Sequence, residues 1–492
     1  MNSTQLSIAE LQAGYAAGDF SPLEVVAVFA ARIEALEPGL GALTTRTLES
    51  ALREAAEATD RYARGTPVRP LDGIPYVAKD LFDTRGVRTT YGSRIFDAHV
   101  PRADAAAVAR LRDAGAIMLG KAATHEFGWG VTTVGTRRGP TRNPWAPGRI
   151  AGGSSGGSAA ALAADFAPLA LGTDTAGSIR IPSALCGVVG HKPSRGLVST
   201  AGAFRLARSL DHVGPMARSP ADARIALSVL SGERAVSGGA GRRRANAAPA
   251  LEGVRVGVCT ELQDELAVER RADFERALTL ARDLGAEVVD ISLPEAAGAY
   301  ETLGTIVLAE GRCHHARLGL WPARRGDYEP DVRRRLELAD RLKPSDYAGA
   351  MAKRAELEAG FARAFRRVQL IVSPAVAIGP VTIEERGRED LRARMIACAA
   401  PQSLAGLPAC TIRAGFDDAG LPGAVQLSGP RSADLRVLSA AQAFFEATPG
   451  VQERRPQIPL PPLAALRPQA GAERRPPQAG PGSTPPPTAR ER

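Results

Sequence analysis

Residues 152–180 read GGSSGGSAAALAADFAPLALGTDTAGSIR, and the rest of the chain is organised around this stretch. Its pattern predicts a Gly/Ser-rich loop, a small-residue helix over 158–165, an apolar strand over 168–172 and a second loop over 173–180. Glycine lets the backbone approach a ligand closely and adopt positive φ. Two such loops around one helix–strand unit can aim N–H groups at a common point, which suits an anion or a developing oxyanion.

The serines of this stretch need a base, because a serine hydroxyl is a weak nucleophile until its proton is removed. The candidate is Lys79, which ends an apolar run in residues 73–80, GIPYVAKD. A lysine in water has a pKa of about 10.4 and is almost always charged at neutral pH. Burial lowers that pKa and frees the amine to accept a proton. The sequence therefore predicts Lys79 as a neutral base on a buried strand.

Several long segments occur in a characteristic order: GIPYVAKD (73–80), GPTRNPWAPGRIAGGSSGGSAA (139–160), LGTDTAGSIRIPSALCGVVGHKPSRGLVS (171–199) and SLDHVGPMARS (209–219). Weaker matches follow in SLAGLPACTI (403–412) and GLPGAVQLSGP (420–430). In type and order these segments resemble the amidase signature family. The resemblance extends over nearly the whole chain except about the last thirty residues.

The resemblance implies a catalytic triad of two serines and a lysine. Carried over residue by residue, Ser178 is the acylated nucleophile and Ser154 is a bridging serine beside a cis peptide bond. Lys79 is the base that draws the proton from Ser178 through Ser154. The family chemistry uses no metal and no organic cofactor, so none is expected here.

The resemblance also implies roles for the residues around the nucleophile. Backbone N–H groups just before it form the oxyanion hole, which here assigns Thr175, Ala176, Gly177 and Ser178. Many family members have glycine where this chain has Ala176. Three further positions match residues that usually hold the two loops in place: Ser155, Asp174 and Arg180.

The segment HEFGWG at 125–130 is expected to border the acyl-binding pocket, again by resemblance. The candidate pocket residues are His125, Glu126, Phe127 and Trp129. A packed loop with a hydrogen-bonded histidine is an equally good interpretation of this segment. Neither it nor the adjacent pair His314 and His315 forms a metal-binding pattern, because neighbouring side chains on a helix do not face one another.

Alternating strand and helix patterns indicate an α/β fold, with a large mixed, mostly parallel twisted sheet covered by helices on both faces. One catalytic domain is predicted over residues 1–460. Residues 232–253 are rich in Gly, Ala and Arg and are predicted to form a flexible linker within it. Residues 461–492 are rich in Pro, Gly and Arg, which predicts a disordered tail.

Composition excludes several other classes of protein. The chain has 492 residues, a formal net charge of +9 and five scattered cysteines without a CxxC pair, so neither a disulfide framework nor a zinc site is indicated. The amino terminus lacks a secretory pattern and no long apolar run suggests a membrane span, so a cytoplasmic protein is expected. The excess arginine accompanies no nucleic-acid-binding motif, and the run at 242–244 fits a solvated loop better than a nucleic-acid contact.

Two other catalytic or phosphate-binding motifs fit less well. GGSSG at 152–156 matches the nucleophile elbow of α/β-hydrolases, but that elbow must follow a strand, and NPWAPG at 143–148 is not one. A phosphate-binding P-loop needs a lysine after its last glycine, where this chain has Ser158.

The sequence predicts an amidase that hydrolyses the C–N bond of a small-molecule amide through an acyl-Ser178 intermediate. One alternative is the A subunit of a tRNA-dependent amidotransferase, which releases ammonia from glutamine for a partner subunit. Members with that role usually carry an Asp shortly before the segment at 403–408, and residues 396–402, IACAAPQ, contain no acid. A second alternative is a catalytically degenerate binding protein. Homodimers are common in the family, and the sequence leaves the oligomeric state and the amide substrate open.

Overall fold

The computed structural model describes residues 3–66, 69–135, 138–232, 251–263 and 266–458. Most of the linker predicted over 232–253 lies outside the described residues, and so does the tail predicted over 461–492. Among the described helices, none has both the length and the apolar character needed to cross a membrane.

Eleven strands form one sheet in the order β1-β3-β2-β4-β6-β5-β10-β11-β9-β7-β8. Their bounds are β1 Leu43–Arg46, β2 Pro75–Lys79, β3 Ile117–Ala122, β4 Leu169–Asp174, β5 Val189–Lys192, β6 His212–Ala217, β7 Arg255–Cys259, β8 Glu287–Ile291, β9 Leu370–Pro374, β10 Ala409–Phe416 and β11 Pro422–Ser428. Two short two-stranded sheets, Val134–Gly135 with Gly139–Pro140 and Arg142–Asn143 with Ala146–Ile150, lie before the first catalytic loop.

The sheet is large and mixed, which confirms the predicted α/β fold, but antiparallel pairings outnumber the parallel pairings that were expected to predominate. Parallel neighbours occur in two places, where β2 lies between β3 and β4 and where β7 lies between β9 and β8. The six remaining pairings are antiparallel. The central antiparallel region includes β10 and β11, which a short turn joins as a hairpin.

Fifteen α-helices accompany the strands within the described residues. Ser7 and Ser21 are the N-caps of the first two, each with a capping box to the glutamate three residues later. The bounds are α1 Ile8–Ala17, α2 Pro22–Leu40, α3 Leu48–Ala63, α4 Ala106–Asp113, α5 Gly156–Ala163, α6 Arg180–Cys186, α7 Pro220–Ser231, α8 Val268–Asp283, α9 Ala299–Arg317, α10 Pro330–Ala339, α11 Pro344–Ala364, α12 Leu391–Ile396, α13 Ala400–Ala405, α14 Asp434–Glu446 and α15 Pro449–Gln452.

Strand direction brings the two halves of the predicted site together. β2 and β4 are parallel neighbours, with Ala78 opposite Leu171, so their carboxyl ends meet at one edge of the sheet. β2 ends at Lys79 and β4 ends at Asp174. The loop before α5 and the loop before α6 both lie at this edge. The first loop packs against the end of β4, and the second loop directly follows β4 in the chain. The topology thus places Lys79 between the two glycine-rich loops.

Candidate active site

Lys79 lies fully buried at the end of β2, and its side-chain nitrogen contacts three hydroxyl groups. Lys79 Nζ is 2.7 Å from Ser154 Oγ, 2.9 Å from Ser155 Oγ and 2.7 Å from Thr173 Oγ1. No carboxylate of the described residues lies within salt-bridge distance of this nitrogen, and its partners are therefore all neutral.

This environment favours the neutral amine. Burial lowers the pKa of Lys79 well below its ordinary value, and the charges of Asp174 and Asp211 oppose that shift only in part. A neutral amine donates two hydrogen bonds and accepts one. Ser155 Oγ donates its own proton to the Thr173 carbonyl at 3.2 Å, so it accepts from Lys79. The Ser154 hydroxyl can then direct its proton at the lysine lone pair.

The backbone of Ser154 is held in place by two further hydrogen bonds. The Gly153–Ser154 peptide bond is cis, as the resemblance implies. The Ser154 carbonyl accepts from the His125 N–H and from Thr133 Oγ1, both at 3.3 Å. A Cβ on Gly128 would lie 3.6 Å from Ser154 Oγ, so the 125–130 segment passes directly beside Ser154.

Ser178 lies on the second loop, just before α6 begins, and is 7% exposed. The Ser155 N–H donates to the Ser178 carbonyl at 3.2 Å and so joins the two loops. Within the described residues, no hydrogen bond engages Ser178 Oγ, and none links it to Ser154. The adjacent Gly177 has a φ of 105°, and a Cβ there would lie 2.8 Å from the Ala399 side chain, so glycine is required for both reasons.

Asp174 shapes the second loop around its carboxylate. It accepts from the Gly177 N–H at 2.7 Å, from the Ile179 N–H at 3.2 Å and from Arg180 Nε at 3.0 Å. Burial alone would raise the pKa of this carboxyl, but the adjacent Arg180 guanidinium outweighs burial and holds it below its usual range. Asp174 is therefore an anion around which the backbone before Ser178 folds.

These contacts change the predicted set of oxyanion donors. The Gly177 N–H is already used by Asp174 and is not available to a ligand. The N–H groups of Thr175, Ala176 and Ser178 donate to no acceptor in the hydrogen-bond network of the described residues. Thr175 is tethered through its side chain, which donates to Asp211 at 2.7 Å. Three of the four expected donors thus stay candidates.

Arg180 connects the loop that carries Ser178 to the carboxyl-terminal motifs. Its guanidinium donates to Ser403 Oγ at 2.7 Å and to Gln426 Oε1 at 3.0 Å. Both residues lie in the carboxyl-terminal motifs at 403–412 and 420–430, for which the sequence predicted no role in the site. Thr173 was not predicted as a site residue either, although it lies within the glycine-rich stretch at 152–180. A hydroxyl at the end of the strand beside Lys79 is the signal that could have identified it.

The predicted pocket residues divide into two environments. His125 contacts Asp331 Oδ2 through Nε2 at 2.9 Å, and Glu126 accepts from Ser93 Oγ at 2.6 Å and from the Glu329 N–H at 2.8 Å. Burial raises the pKa of Glu126 to about 8. Both residues line a cleft of 1070 Å³, whose lining includes neither Lys79 nor Ser178.

Phe127 and Trp129 instead belong to a buried aromatic cluster. Phe127 packs edge-on against His315, and Trp129 stacks on the same imidazole, with ring centroids 4.7 and 6.0 Å apart respectively. His315 therefore has a structural place in this cluster. The Trp129 indole N–H finds no acceptor among the described residues.

The space next to the catalytic loops is small. A cavity of 10 Å³ touches Thr173, Thr175, Asp211 and Gly128, which is room for about one water molecule. Among the described residues, no group of His, Cys, Asp and Glu side chains is arranged to hold a metal ion. The site thus consists of a buried lysine, hydroxyl groups and backbone amides.

The sequence and the fold of this chain are similar to those of several known proteins. The family model described as Amidase matches residues 24–438. The A subunit of the glutamyl-tRNA(Gln) amidotransferase of Thermus thermophilus is 39% identical over 471 residues, covering 89% of this chain and 96% of the relative. Two solved structures are also similar. An inhibitor-bound vestigial protein complex, linked to the origins of an s-triazine catabolic enzyme, is 35% identical with a TM-score of 0.81, covering 91% of this chain and 99% of that one. The A subunit of the Thermotoga maritima glutamyl-tRNA(Gln) amidotransferase is 29% identical with a TM-score of 0.76, covering 93% and 98%.

Proposed function

This chain belongs to the amidase family, whose members share the amidase signature, and we propose that it hydrolyses amide bonds through an acyl intermediate on Ser178. The observation that carries the proposal is the 2.7 Å contact between buried Lys79 Nζ and Ser154 Oγ, with the Ser178 loop held against the same serine pair. A buried lysine surrounded only by hydroxyl groups suits a base and does not suit a structural cation.

In the proposed reaction, Ser178 Oγ forms a bond to the amide carbonyl carbon. Its proton passes to Ser154 Oγ, while the Ser154 proton passes to neutral Lys79. The carbonyl oxygen becomes negative and accepts from the N–H groups of Thr175, Ala176 and Ser178, which need no reorganisation to receive it. The C–N bond then breaks, and the nitrogen leaves as an amine or ammonia with a proton returned by Lys79. Water releases the acid by the same path.

Two substrate classes follow from this chemistry. The first is a small-molecule amide, supported by the segment 396–402, which lies against Gly177 through Ala399 and contains no acid to pair with the ammonium of glutamine. The second is glutamine, with the chain acting as the A subunit of an amidotransferase. The curated relatives support this second candidate more directly, because they are named as amidotransferase A subunits and align with this chain over 96% and 97% of their own length.

Covalent labelling tests the shared part of the proposal. The wild-type protein is incubated with a fluorophosphonate probe and weighed intact by mass spectrometry, beside Ser178→Ala and a control, Ser199→Ala, whose serine lies outside the site. We expect one adduct on wild type and on the control, and none on Ser178→Ala. An adduct that persists in Ser178→Ala contradicts the assignment of the nucleophile.

Ammonia release separates the two substrate classes. Glutamine and a panel of small amides are supplied to the isolated chain, and the chain is purified from its native cells to identify any second component. Turnover of small amides by the isolated chain supports the first class. Glutaminase activity that appears only with a copurified partner supports the amidotransferase role.

A further inference from the structure

A cavity of 430 Å³ is lined by residues of α9, α11 and the loop that precedes β6. Three of these residues are arginines: Arg205 and Arg208 on the loop and Arg317 at the end of α9. Arg205 is half-buried, and the other two are exposed. None of the three guanidinium groups forms an ion pair with a carboxylate of the described residues. The cavity therefore gathers three positive charges without a partner in the part of the chain that the structure describes.

The lining carries only a partial counter-charge. Among the described residues that line the cavity, Glu310 is the only acid, and it accepts from the Ser209 N–H at 2.9 Å and from the Tyr347 hydroxyl at 3.0 Å. Three arginines and one glutamate leave a formal charge of +2. His314 also lines the cavity, and burial together with the charges of two of these arginines lowers its pKa. The cavity thus keeps an excess of positive charge.

The loop that carries Arg205 also reaches the catalytic loops. Arg205 and Leu206 line both the 430 Å³ cavity and the 10 Å³ cavity beside Thr175. The Leu206 N–H donates to Asp211 Oδ2 at 3.0 Å, and the same carboxylate accepts from Thr175 Oγ1 at 2.7 Å. A ligand bound by the arginines would therefore contact the loop that positions Thr175.

The charge and the donors of this cavity match a phosphate group. Such a group carries about −1.5 to −2 charges at neutral pH, and guanidinium groups bind its oxygens in pairs. We propose that the cavity binds a phosphate group, of inorganic phosphate or of a phosphate ester, between Arg205, Arg208 and Arg317. Neither Lys79 nor Ser178 lines the cavity, so the inference is independent of the proposed hydrolysis.

Isothermal titration calorimetry with inorganic phosphate and with phenyl phosphate, at an ionic strength held constant with chloride, tests the proposal. We expect one saturable site per chain in wild type, and a Kd weakened about tenfold or more in Arg317→Gln, because charge-assisted hydrogen bonds are strong. Arg317→Lys should recover part of the affinity, since the charge returns without the planar fork. Tighter binding of phenyl phosphate supports an ester as the ligand, and tighter binding of inorganic phosphate supports the free anion.

The control variant is Arg366→Gln, which replaces an exposed arginine outside the lining. It lowers the net charge of +9 by the same amount as Arg317→Gln, so any diffuse attraction of anions changes equally in both. We expect Arg366→Gln to bind both probes with the wild-type Kd. Equal weakening in the two variants, or the absence of saturable binding in wild type, overturns the proposal.

Cys313 reports whether the ligand fills this cavity. It lines the cavity and is the one exposed cysteine of the five in the chain. Saturating phenyl phosphate should slow its alkylation by iodoacetamide in wild type but not in Arg317→Gln, as measured by intact-protein mass spectrometry. Hydrogen exchange over residues 204–211 should slow as well when the ligand binds. Binding that changes neither alkylation nor exchange places the anion elsewhere and refutes the site.

Fluorophosphonate labelling of Ser178 keeps this inference distinct from the proposed function. Inorganic phosphate that slows labelling equally in wild type and in Arg317→Gln occupies the catalytic loops instead, which refutes the arginine site. A folded protein that binds phosphate through Arg317 but does not label supports the arginine site and refutes the proposed function. Normal labelling without phosphate binding does the reverse.

Discussion

Two buried lysines on neighbouring strands, Lys79 on β2 and Lys121 on β3, have opposite surroundings. The strands are parallel neighbours, and both side chains are fully buried. Lys121 Nζ lies 2.6 Å from the Phe82 carbonyl, 2.6 Å from Thr89 Oγ1 and 3.7 Å from Asp80 Oδ1. Lys79 has three hydroxyl partners and no carboxylate at comparable distance within the described residues.

The difference shows that burial alone does not make a lysine a base. Burial lowers the pKa of Lys121 only to about 8, because the charges of Asp80 and Asp83 raise it and so offset part of the effect of burial. The pKa of Lys79 falls well below its ordinary value, since only more distant carboxylates oppose burial there. The nearby Asp80 carboxylate therefore favours the charged form of Lys121, whereas burial favours the neutral amine of Lys79. The nearby carboxylate is the feature that separates them.

The largest expected effect is the loss of activity in Lys79→Met. Removing a general base costs about 10²- to 10⁴-fold in rate, and we expect the fluorophosphonate labelling rate of Ser178 to fall within that range. Time-resolved intact-protein mass spectrometry measures it. The matched control is Lys121→Met, in which the folded fraction should label at the wild-type rate. Equal losses in both variants would remove the distinction between the two lysines.

Lys121→Met should instead lower stability. The substitution leaves the Asp80 carboxylate buried without its cation, and breaking a buried pair in this way costs about 3–5 kcal/mol. A lower urea midpoint measures the loss. Replacing Asp80 with asparagine in the same variant should recover part of it, because the uncompensated charge is then gone. A midpoint equal to that of the wild type would show that Asp80 and Lys121 are not coupled.

The pH dependence of labelling tests the protonation state of Lys79. Only the neutral amine accepts a proton, so the rate should rise about tenfold per pH unit below the folded pKa and level off above it. Because that pKa is lowered, the plateau should begin well below 10.5, the ordinary lysine value. The unfolded chain keeps the proton up to that ordinary value, so this site's contribution to stability rises with pH between the lowered folded pKa and 10.5, above the range in which the rate rises. A rate that keeps rising to about pH 10.5 would contradict a depressed pKa.

The smallest expected effect comes from removing one hydroxyl beside each lysine. Thr173→Val deletes a 2.7 Å contact to Lys79 at nearly constant volume, and Thr89→Val deletes the corresponding 2.6 Å contact to Lys121. A hydrogen bond of this kind contributes about 1 kcal/mol, so Thr173→Val should slow labelling about fivefold. Thr89→Val should leave labelling unchanged and lower the urea midpoint. The reverse pattern would mean that the roles of the two lysines are exchanged.

Local sequence pattern was sufficient for much of the fold, and the resemblance of the motifs to a known family supplied the candidate triad. The serine caps of α1 and α2 and the apolar run before Lys79 depend on neighbouring residues, so they can be predicted from the sequence. The use of the Gly177 N–H by Asp174 could not be predicted, because it depends on how the loop closes after β4. The position of His125 and Glu126 on a cleft without Ser178 also depends on remote segments, among them the residues before α10.

The sequence by itself determined the order of the motifs, the family and the residue types available for catalysis, because side-chain chemistry and local propensity are carried by each short segment. Only the tertiary structure decided that Thr173 completes the surroundings of Lys79 and that Arg180 reaches Ser403 and Gln426. These relations join residues tens to hundreds of positions apart. The distances between these residues, their burial and therefore their pKa values are set only when the strand order of the folded chain brings them together.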